Sequence, residues 1–301
     1  EMLTRFKNEI PECTAPYTAP GLKSTQALPE FYQGATADYV KVDGKWVDGM
    51  AQDNMLTALQ NLQDAYTAGL IDQEAITNTT SSCRDEWYAG TVGCFPYWGG
   101  LWGETLTVRL KQNVPDAEVI ALPPIEGATY LYSAPSVQVI SSKLSNEQVA
   151  SVFKYFIEYM HDGDEGQVLF QSGVEGVHWE QDGNNIKPLP TISKPAEVFQ
   201  KAWITPWMAI SPLTATDKNV ELSQAVTDSL AVVSANAKNI SVFPVSEQRT
   251  MITSDLTTTR ENIISRVAMG QLTPEEGMAE YKAQAETLNV AQALEEMNAN
   301  A

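Results

Sequence analysis

The chain has 301 residues, 43% of them apolar and 19% charged, which is typical of a globular protein with one large or two ordinary domains and excludes a disordered chain. Acidic side chains outnumber basic ones by 38 to 19, a formal net charge of −19. Such a surface repels phosphate backbones and anionic lipids, which disfavours nucleic acid and direct binding to a membrane surface.

The chain opens in what reads as the middle of an amphipathic helix, because Glu1 leads into Met-Leu-Thr-Arg-Phe-Lys with no cap residue before it. No signal peptide is recognisable, and we expect residues to be missing before Glu1. Residues 11–35 are rich in Pro, Thr, Ala and Gly and predict an irregular segment on the surface. Asp43-Gly44, between two short runs of strand-forming residues, predicts a hairpin with a type I′ turn.

Helices and strands alternate in the next part of the chain. Apolar residues recur at three- and four-residue spacing from about Asp53 to Ala68, which predicts a helix. A short helix over 84–89 and strands over 92–95, 117–122 and 136–140 are then predicted. Ser145 and Gln148 form a capping box before another amphipathic helix. The predicted buried face of that helix consists of Val149, Val152, Phe153, Phe156 and Met160.

The tail predicts two helices. One covers 255–269 and ends at Gly270, and the other opens with Thr273-Pro-Glu-Glu276. In that motif Thr273 is the cap, proline occupies the first helical position and Glu276 completes a capping box. Strands interspersed with helices indicate an α/β architecture.

Neither the cysteines nor the acidic residues form a recognisable metal motif. Cys83 and Cys94 flank a short segment and could pair, leaving Cys13 over; the alternative is three free thiols, with Cys94 buried in its strand. The acidic run over 161–166 favours a solvated turn, because the calcium-loop pattern with its distal glutamate is absent. We predict no metal and no cofactor.

The segment from Gly90 to Glu104 is the most informative. Its short apolar strand breaks at Pro96 into a loop that holds Tyr97, Trp98 and Trp102 among glycines. Glycine allows tight bends and close approach of a ligand, and the aromatic side chains offer flat apolar faces. The loop therefore predicts stacking against a sugar ring, with packing against a neighbouring part of the protein as the alternative.

Catalytic patterns are weak. The two histidines, His161 and His178, accompany no recognisable nucleophile motif. A carboxylate pair such as Asp85/Glu86 could in principle cleave a glycosidic bond, but such pairs arise by chance among 38 acidic residues. We predict that the protein is not an enzyme.

The order of several loose motifs is more specific than any one of them. They are the hairpin around Asp43-Gly-Lys-Trp46, the helix ending in Ala68-Gly-Leu-Ile-Asp72, the Gly-Thr-Val-Gly strand with its Trp loop, Pro115-Asp-Ala-Glu followed by Pro-Pro, Gly173-Val-Glu-Gly-Val-His-Trp179, and Met269-Gly-Gln-Leu-Thr-Pro-Glu-Glu276. Across nearly the whole chain this order resembles the extracellular solute-binding proteins of family 1, the lipoprotein type that serves carbohydrate ABC importers.

The resemblance implies a periplasmic-binding-protein fold of type II, in which two α/β lobes joined by a hinge close over a ligand. Residues 1–134 would form a portion of lobe 2 with the Trp loop. Residues 135–301 would form part of lobe 1 and then the C-terminal helices that return to lobe 2, with the hinge crossing near Ser133–Ser136. Family members are longer at the N-terminus, so the chain would be a C-terminal portion that lacks one wall of the cleft.

By position, the resemblance also implies the ligand-binding residues. They are Tyr97, Trp98, Trp102, Glu104, Trp203 and Trp207. The aromatic rings would stack on sugar and Glu104 would bind a hydroxyl. The calcium-holding loop of some members is absent here, so no metal is implied. With the facing lobe absent, the rings would be unusually exposed and ligand binding weak.

The implied function is non-catalytic capture of a sugar or oligosaccharide for the membrane permease subunits of an ABC importer. The protein would be a monomer located outside the cell, as a Gram-positive surface lipoprotein or in the periplasm. The alternatives are a binder of peptides or other small solutes with the same fold, a glycoside-active enzyme, and an adhesion module for surface polysaccharide.

Overall fold

The structure is a computed structural model that describes residues 1–125, 130–132, 139–183, 185–189, 222–239 and 242–301. The chain divides into two compact units, the first formed by Glu1–Ser133 with Ala225–Ala301 and the second by Ala134–Gln224. The assignment of residues 1–134 and 135–301 to lobes stays a prediction. The predicted hinge near 133–136 lies outside the described residues.

The N-terminal region is buried more deeply than its composition suggests. Helix α1 (Met2–Glu9) begins without a side-chain cap. The prediction of a surface segment over residues 11–35 is wrong: strand β1 (Ala15–Tyr17) and helix α2 (Pro29–Tyr32) lie within it, and much of the segment is buried. The hydroxyl of Tyr17 donates to Ala27 O at 2.9 Å, so this carbonyl of the irregular segment has a hydrogen-bond partner although it is shielded from water. Composition therefore located the turns but not their burial.

The predicted hairpin and first core helix are both present. Strands β2 (Tyr39–Val42) and β3 (Lys45–Asp48) pair antiparallel, with Val42 opposite Lys45. Asp43 and Gly44 have φ angles of 49° and 80°, as a type I′ turn requires. A 3₁₀ turn (Gly49–Ala51) then leads to helix α3 (Asn54–Thr67), which buries its predicted apolar stripe.

The segment that carries the Trp loop is more helical than predicted. Helix α4 (Thr80–Ala89) begins before residue 84, because Thr79 and Ser82 form a capping box. Strand β4 (Val92–Cys94) pairs in parallel with β1, and helix α5 (Leu101–Asn113) follows. Residues 117–122 have no regular secondary structure, so the strand predicted there is wrong. A strand needs a neighbouring strand to pair its backbone hydrogen bonds, and an apolar run in the sequence does not provide one. The strand predicted over 136–140 lies mostly outside the described residues.

The second unit contains the helix with the capping box of Ser145 and Gln148. Helix α6 (Asn146–Val152) confirms that cap and continues into a π-helical stretch, Phe153–Glu158. The predicted buried face is wrong, because Phe153 and Phe156 are 53% and 49% exposed, whereas Met160 is buried. A π-helix takes more residues per turn than an α-helix, so a stripe with i, i+3, i+4 spacing does not stay on one face.

A short helix and a hairpin complete the described part of this unit. The acidic run is a turn, as predicted: Asp162 accepts backbone N–H groups of Asp164, Gly166 and Gln167 at the start of helix α7 (Glu165–Ser172). Strands β6 (Trp179–Asp182) and β7 (Asn185–Pro188) pair antiparallel. The ring of Trp179 is buried, and its Nε1 donates to Gly173 O at 2.9 Å.

The tail returns to the first unit and contains more helix than predicted. Strand β5 (Leu131–Tyr132) pairs in parallel with β8 (Lys238–Asn239), which follows helix α8 (Gln224–Asn236). Helix α9 (Glu247–Ala268) begins well before residue 255, with Ser246 as its cap. Helix α10 (Pro274–Thr287) has the predicted cap, and a further helix, α11 (Val290–Ala299), was not predicted.

The core of the first unit joins the two ends of the chain. Helix α3 packs against α9 and α10, and α9 also packs against α11. Buried apolar residues of these helices form one cluster with the β2–β3 hairpin and the segment after β1. In the described residues no helix has both the length and the apolar character needed to cross a membrane.

Arg260 makes the main polar contacts within this core. Its side chain is 3% exposed, and Nη2 donates to Asp48 Oδ1 at 2.7 Å. Nε donates to the Tyr281 hydroxyl at 3.1 Å, and that hydroxyl donates to Asp48 Oδ2 at 2.6 Å. Nη1 reaches Asp38 Oδ1 at 3.2 Å. Arg260 thereby connects the hairpin to helices α9 and α10.

The cysteines are all free, so the pairing of Cys83 with Cys94 is wrong and the alternative of three free thiols is confirmed. Burial raises the pKa of the Cys83 thiol to about 11 and that of Cys94 to about 12. Both therefore remain protonated near neutral pH and behave as small apolar side chains.

Candidate aromatic binding site

A chain of ring contacts extends from α4 across the end of β4 to α5. Ring centroids lie 6.0 Å apart for Trp87 and Phe95, 5.0 Å for Phe95 and Tyr97, and 5.8 Å for Tyr97 and Trp102. The last pair is edge-to-face, with an interplanar angle of 84°. These separations are in the favourable range for aromatic pairs, so each ring holds its neighbour in place. We call these four side chains and Trp98 the aromatic cluster.

Trp98 differs from the other members because its side chain is 57% exposed. Tyr97 and Trp102 are only partly exposed, so the predicted exposure of the rings is seen at Trp98 and not throughout the cluster. An indole ring that remains largely in water contributes little apolar burial to the fold. It is available to a ligand that has an apolar face of similar size.

The glycines of this segment serve the fold. Gly100 has φ 62° and ψ −131° at the start of α5, a backbone conformation that other residues rarely adopt. A Cβ at Gly99 or Gly103 would lie 3.3 Å from Leu230 or Val226 of α8, so these two glycines allow the helix to pack closely. Close approach of a ligand, which the sequence suggested as their role, is not needed to explain them.

Helix α5 changes the setting of two predicted site residues. The prediction that Trp102 lies in the loop is wrong, because α5 begins at Leu101 and Trp102 is in its first turn. Glu104 is also in that turn, where a carboxylate interacts favourably with the helix N-terminus. Its role as a hydroxyl partner stays a prediction. Trp203 and Trp207 lie outside the described residues.

The structure adds Arg84 to this region, a residue that the sequence interpretation did not select. Its guanidinium carbon lies 5.2 Å from the Trp102 ring centroid and 6.0 Å from that of Tyr97. Both separations are within the range of cation–π contacts. A basic residue preceding the Trp loop in a strongly acidic chain was the available signal, but only the packing of α4 beside α5 brings it to these rings.

A buried polar network lies next to this region. The Thr18 hydroxyl lies 2.8 Å from Glu86 Oε2 and 3.1 Å from Asp72 Oδ2, and Asn78 Nδ2 lies 3.2 Å and 2.6 Å from the same two carboxylates. Thr18 has a single hydroxyl proton, so it cannot donate fully to both acids. Burial of the carboxyl group is the largest cause that raises the pKa of Glu86, and the charge of Asp72 raises it further. Hydrogen bonds from Thr18 and Asn78 lower the pKa and only partly offset this rise.

This arrangement predicts a pH-dependent contribution to stability. An acid whose pKa is raised in the folded state stabilises the fold fully below its ordinary pKa of 4.5, and that stability is lost as pH rises through the folded-state value. We expect Glu86→Gln to gain stability relative to the wild type across that interval, because the amide side chain carries no charge to desolvate. Urea unfolding from about pH 4 to pH 8 measures the difference between the two proteins.

The matched control for this prediction is Asp85→Asn, on the exposed side of the same helix. It should show the same pH dependence as the wild type. A stability difference between Glu86→Gln and the wild type that stays constant or shrinks with rising pH would contradict the assignment.

In the described part of the chain, no group of three or more His, Cys, Asp or Glu residues is arranged to hold a metal ion.

Comparison with solved structures defines the class of fold. The chain has the α/β fold of the solute-binding proteins of ABC transporters. It aligns with the alginate-binding protein AlgQ2, solved without calcium ion, with a TM-score of 0.66 and 17% identity over 99% of this chain and 66% of that one. No protein family model and no curated protein sequence matches the chain.

Two further solved structures align over nearly the whole chain. An HMO-binding solute-binding protein from Bifidobacterium longum infantis gives a TM-score of 0.63 at 13% identity, covering 99% of this chain and 67% of that one. The S. pneumoniae substrate-binding protein FusA in complex with kestose gives 0.61 at 16% identity, covering 99% and 65%. This chain therefore spans about two thirds of the length of these structures.

Proposed function

We propose that this chain is the carbohydrate-binding component of an ABC importer and captures a sugar or oligosaccharide without catalysis. The observation that carries the proposal is the aromatic cluster: Trp98 is exposed, and Tyr97, its neighbour in sequence, contacts the rings of Phe95 and Trp102. A sugar ring has one apolar face of C–H groups, which an indole or phenol face can cover. The fold supports the proposal, since the similar structures include alginate-binding, HMO-binding and kestose-bound proteins.

The binding mode follows from the same residues. Trp98 stacks on the sugar, Tyr97 and Trp102 form the adjoining wall, and Glu104 accepts a hydrogen bond from a sugar hydroxyl. Trp203 and Trp207 contribute from the later Trp segment. In this proposal residues 1–134 form a portion of lobe 2, and residues 135–301 form part of lobe 1 and then the C-terminal helices that return to lobe 2. The hinge lies near 133–136, and the lobes close over the ligand.

The cellular setting is part of the same proposal. The protein is a family 1 member of the lipoprotein type, acts as a monomer outside the cell, and delivers its ligand to membrane permease subunits. That the chain is the C-terminal portion of such a protein stays a prediction. The similar structures are binding proteins, which favours capture of a ligand over the glycoside-active alternative.

Intrinsic tryptophan fluorescence tests the proposal. Titration with a panel of neutral and acidic oligosaccharides should give saturable quenching with at least one glycan, because a ring stacked on Trp98 changes its exposure to water. The same glycan at 100 times its Kd should stabilise the protein by about 2.7 kcal/mol and raise its melting temperature. Glycerol at equal concentration is the control for non-specific effects.

Two other outcomes would support one of the alternative functions instead. A calorimetric response to peptides with none to any glycan would overturn the proposal in favour of a peptide binder. Turnover of a chromogenic glycoside that is lost when one acidic residue is neutralised would show an enzyme.

A further inference from the structure

We propose that the aromatic cluster selects an acidic sugar, and that Arg84 pairs with the carboxylate of a uronic acid unit. This inference rests on the proposed function and names the ligand class of the same site. Arg84 is a partly buried residue of α4, and its guanidinium carbon is 5.2 Å from the Trp102 ring centroid and 6.0 Å from that of Tyr97. A cation therefore lies beside Tyr97 and Trp102, the rings proposed to form the wall of the sugar site.

Arg84 has hydrogen-bonding capacity left for a ligand. A guanidinium has five N–H donors in one plane, and Nη2 of Arg84 donates to Ser81 Oγ at 3.0 Å. No ion pair involves Arg84 in the part of the chain that the structure describes. Among the described residues the bond to Ser81 is the one hydrogen bond of the Arg84 side chain, so its other N–H groups can bind an acceptor.

A carboxylate is the acceptor that such an edge fits best. Two parallel N–H groups of an arginine match the two oxygens of a carboxylate, and the charged hydrogen bonds are about twice as strong as neutral ones. A uronic acid offers both features that this site would use, an apolar ring face for Trp98 and a carboxylate at the edge of the ring. A neutral hexose offers only a hydroxymethyl group at that position.

The charge of the whole chain makes the pairing decisive for specificity. With a net charge of −19, the protein repels an anionic ligand unless a local cation compensates. Arg84 is that cation at the aromatic cluster. Without it, an acidic sugar should bind no better than its neutral counterpart.

Matched ligands test the inference on the full chain. Oligosaccharides of galacturonate, mannuronate and glucuronate are each compared with their methyl esters, which keep the stereochemistry and remove the charge. By calorimetry, at least one acid should bind roughly 10- to 100-fold more tightly than its ester, the range expected for hydrogen bonds to a charged group. Arg84→Gln should abolish this ratio, so that the acid binds no more tightly than its ester.

Arg109→Gln is the matched control, because Arg109 lies over the ring of Tyr88 at 5.3 Å and is outside the aromatic cluster. It should keep the wild-type ratio. Arg84→Lys keeps the charge without the planar pair of donors and should reduce the ratio at least about threefold. This variant and the wild-type comparison decide the question if Arg84→Gln does not fold.

The failures of the two proposals are distinguishable. Equal affinity of the wild type for each acid and its ester overturns the role of Arg84 while sugar binding stands. A ratio that survives Arg84→Gln or Arg84→Lys also overturns it. Absence of binding to every acid, ester and neutral glycan overturns the proposed function itself.

Discussion

Replacement of Arg260 by Leu is expected to lower the free energy of unfolding by about 3–5 kcal/mol, the usual cost of removing one member of a buried ion pair. Asp48 is almost as buried as Arg260 and would keep its charge with only the Tyr281 hydroxyl as donor from this group. The exposed Asp38 adds little. Urea unfolding followed by circular dichroism measures the change.

The same helix provides a control for the loss of an arginine. Arg266 on α9 pairs with Glu280 on α10 at 2.6 Å, with both side chains about one third exposed. Because solvent screens this pair, Arg266→Leu should cost only about 1 kcal/mol or less. Similar losses for the two variants would show that Arg260 does not tie the hairpin to the C-terminal helices.

Trp98→Ala is expected to weaken sugar binding roughly 30-fold or more, as for an aromatic residue at the centre of a binding site. Its effect on the free energy of unfolding should stay within about 0.5 kcal/mol, because the side chain is 57% exposed in the unliganded protein. Calorimetric titration with the glycan identified by fluorescence gives the first quantity. Urea unfolding gives the second.

Tyr155→Ala is the control for this variant, since Tyr155 is a similarly exposed aromatic residue of the second unit, outside the aromatic cluster. It should change neither affinity nor stability appreciably. Wild-type affinity in Trp98→Ala would remove Trp98 from the site. A large loss of stability would mean that the ring packs against the protein.

Local signals made several elements predictable. The turn at Asp43-Gly44 and the caps at Ser145 and Thr273 depend on residues within a few positions of one another, and all three are present. Helix α11 was missed because its boundary with α10 is a left-handed Asn289, φ 56°, and not the glycine that usually marks a helix end.

The sequence predicted where the aromatic residues of the cluster lie in the chain, but not how their rings are arranged. Aromatic residues among glycines after a strand marked the region, and the exposed Trp98 agrees with that interpretation. The ring contacts of Trp102 depend on the start of α5 at Leu101, and the position of Arg84 depends on the packing of α4 beside α5. Neither is encoded in the spacing of the residues.

By itself, the sequence determined the α/β class, the acidic surface and the elements whose signals are local, because each depends on composition or on neighbours a few residues apart. Tertiary structure alone decided which segments are buried. Residues 11–35 enter the core although their composition suggests a surface, and Arg260 meets Asp48 across 212 positions of the chain. Such burial depends on contacts between residues that are far apart in sequence, and only the whole fold brings these residues together.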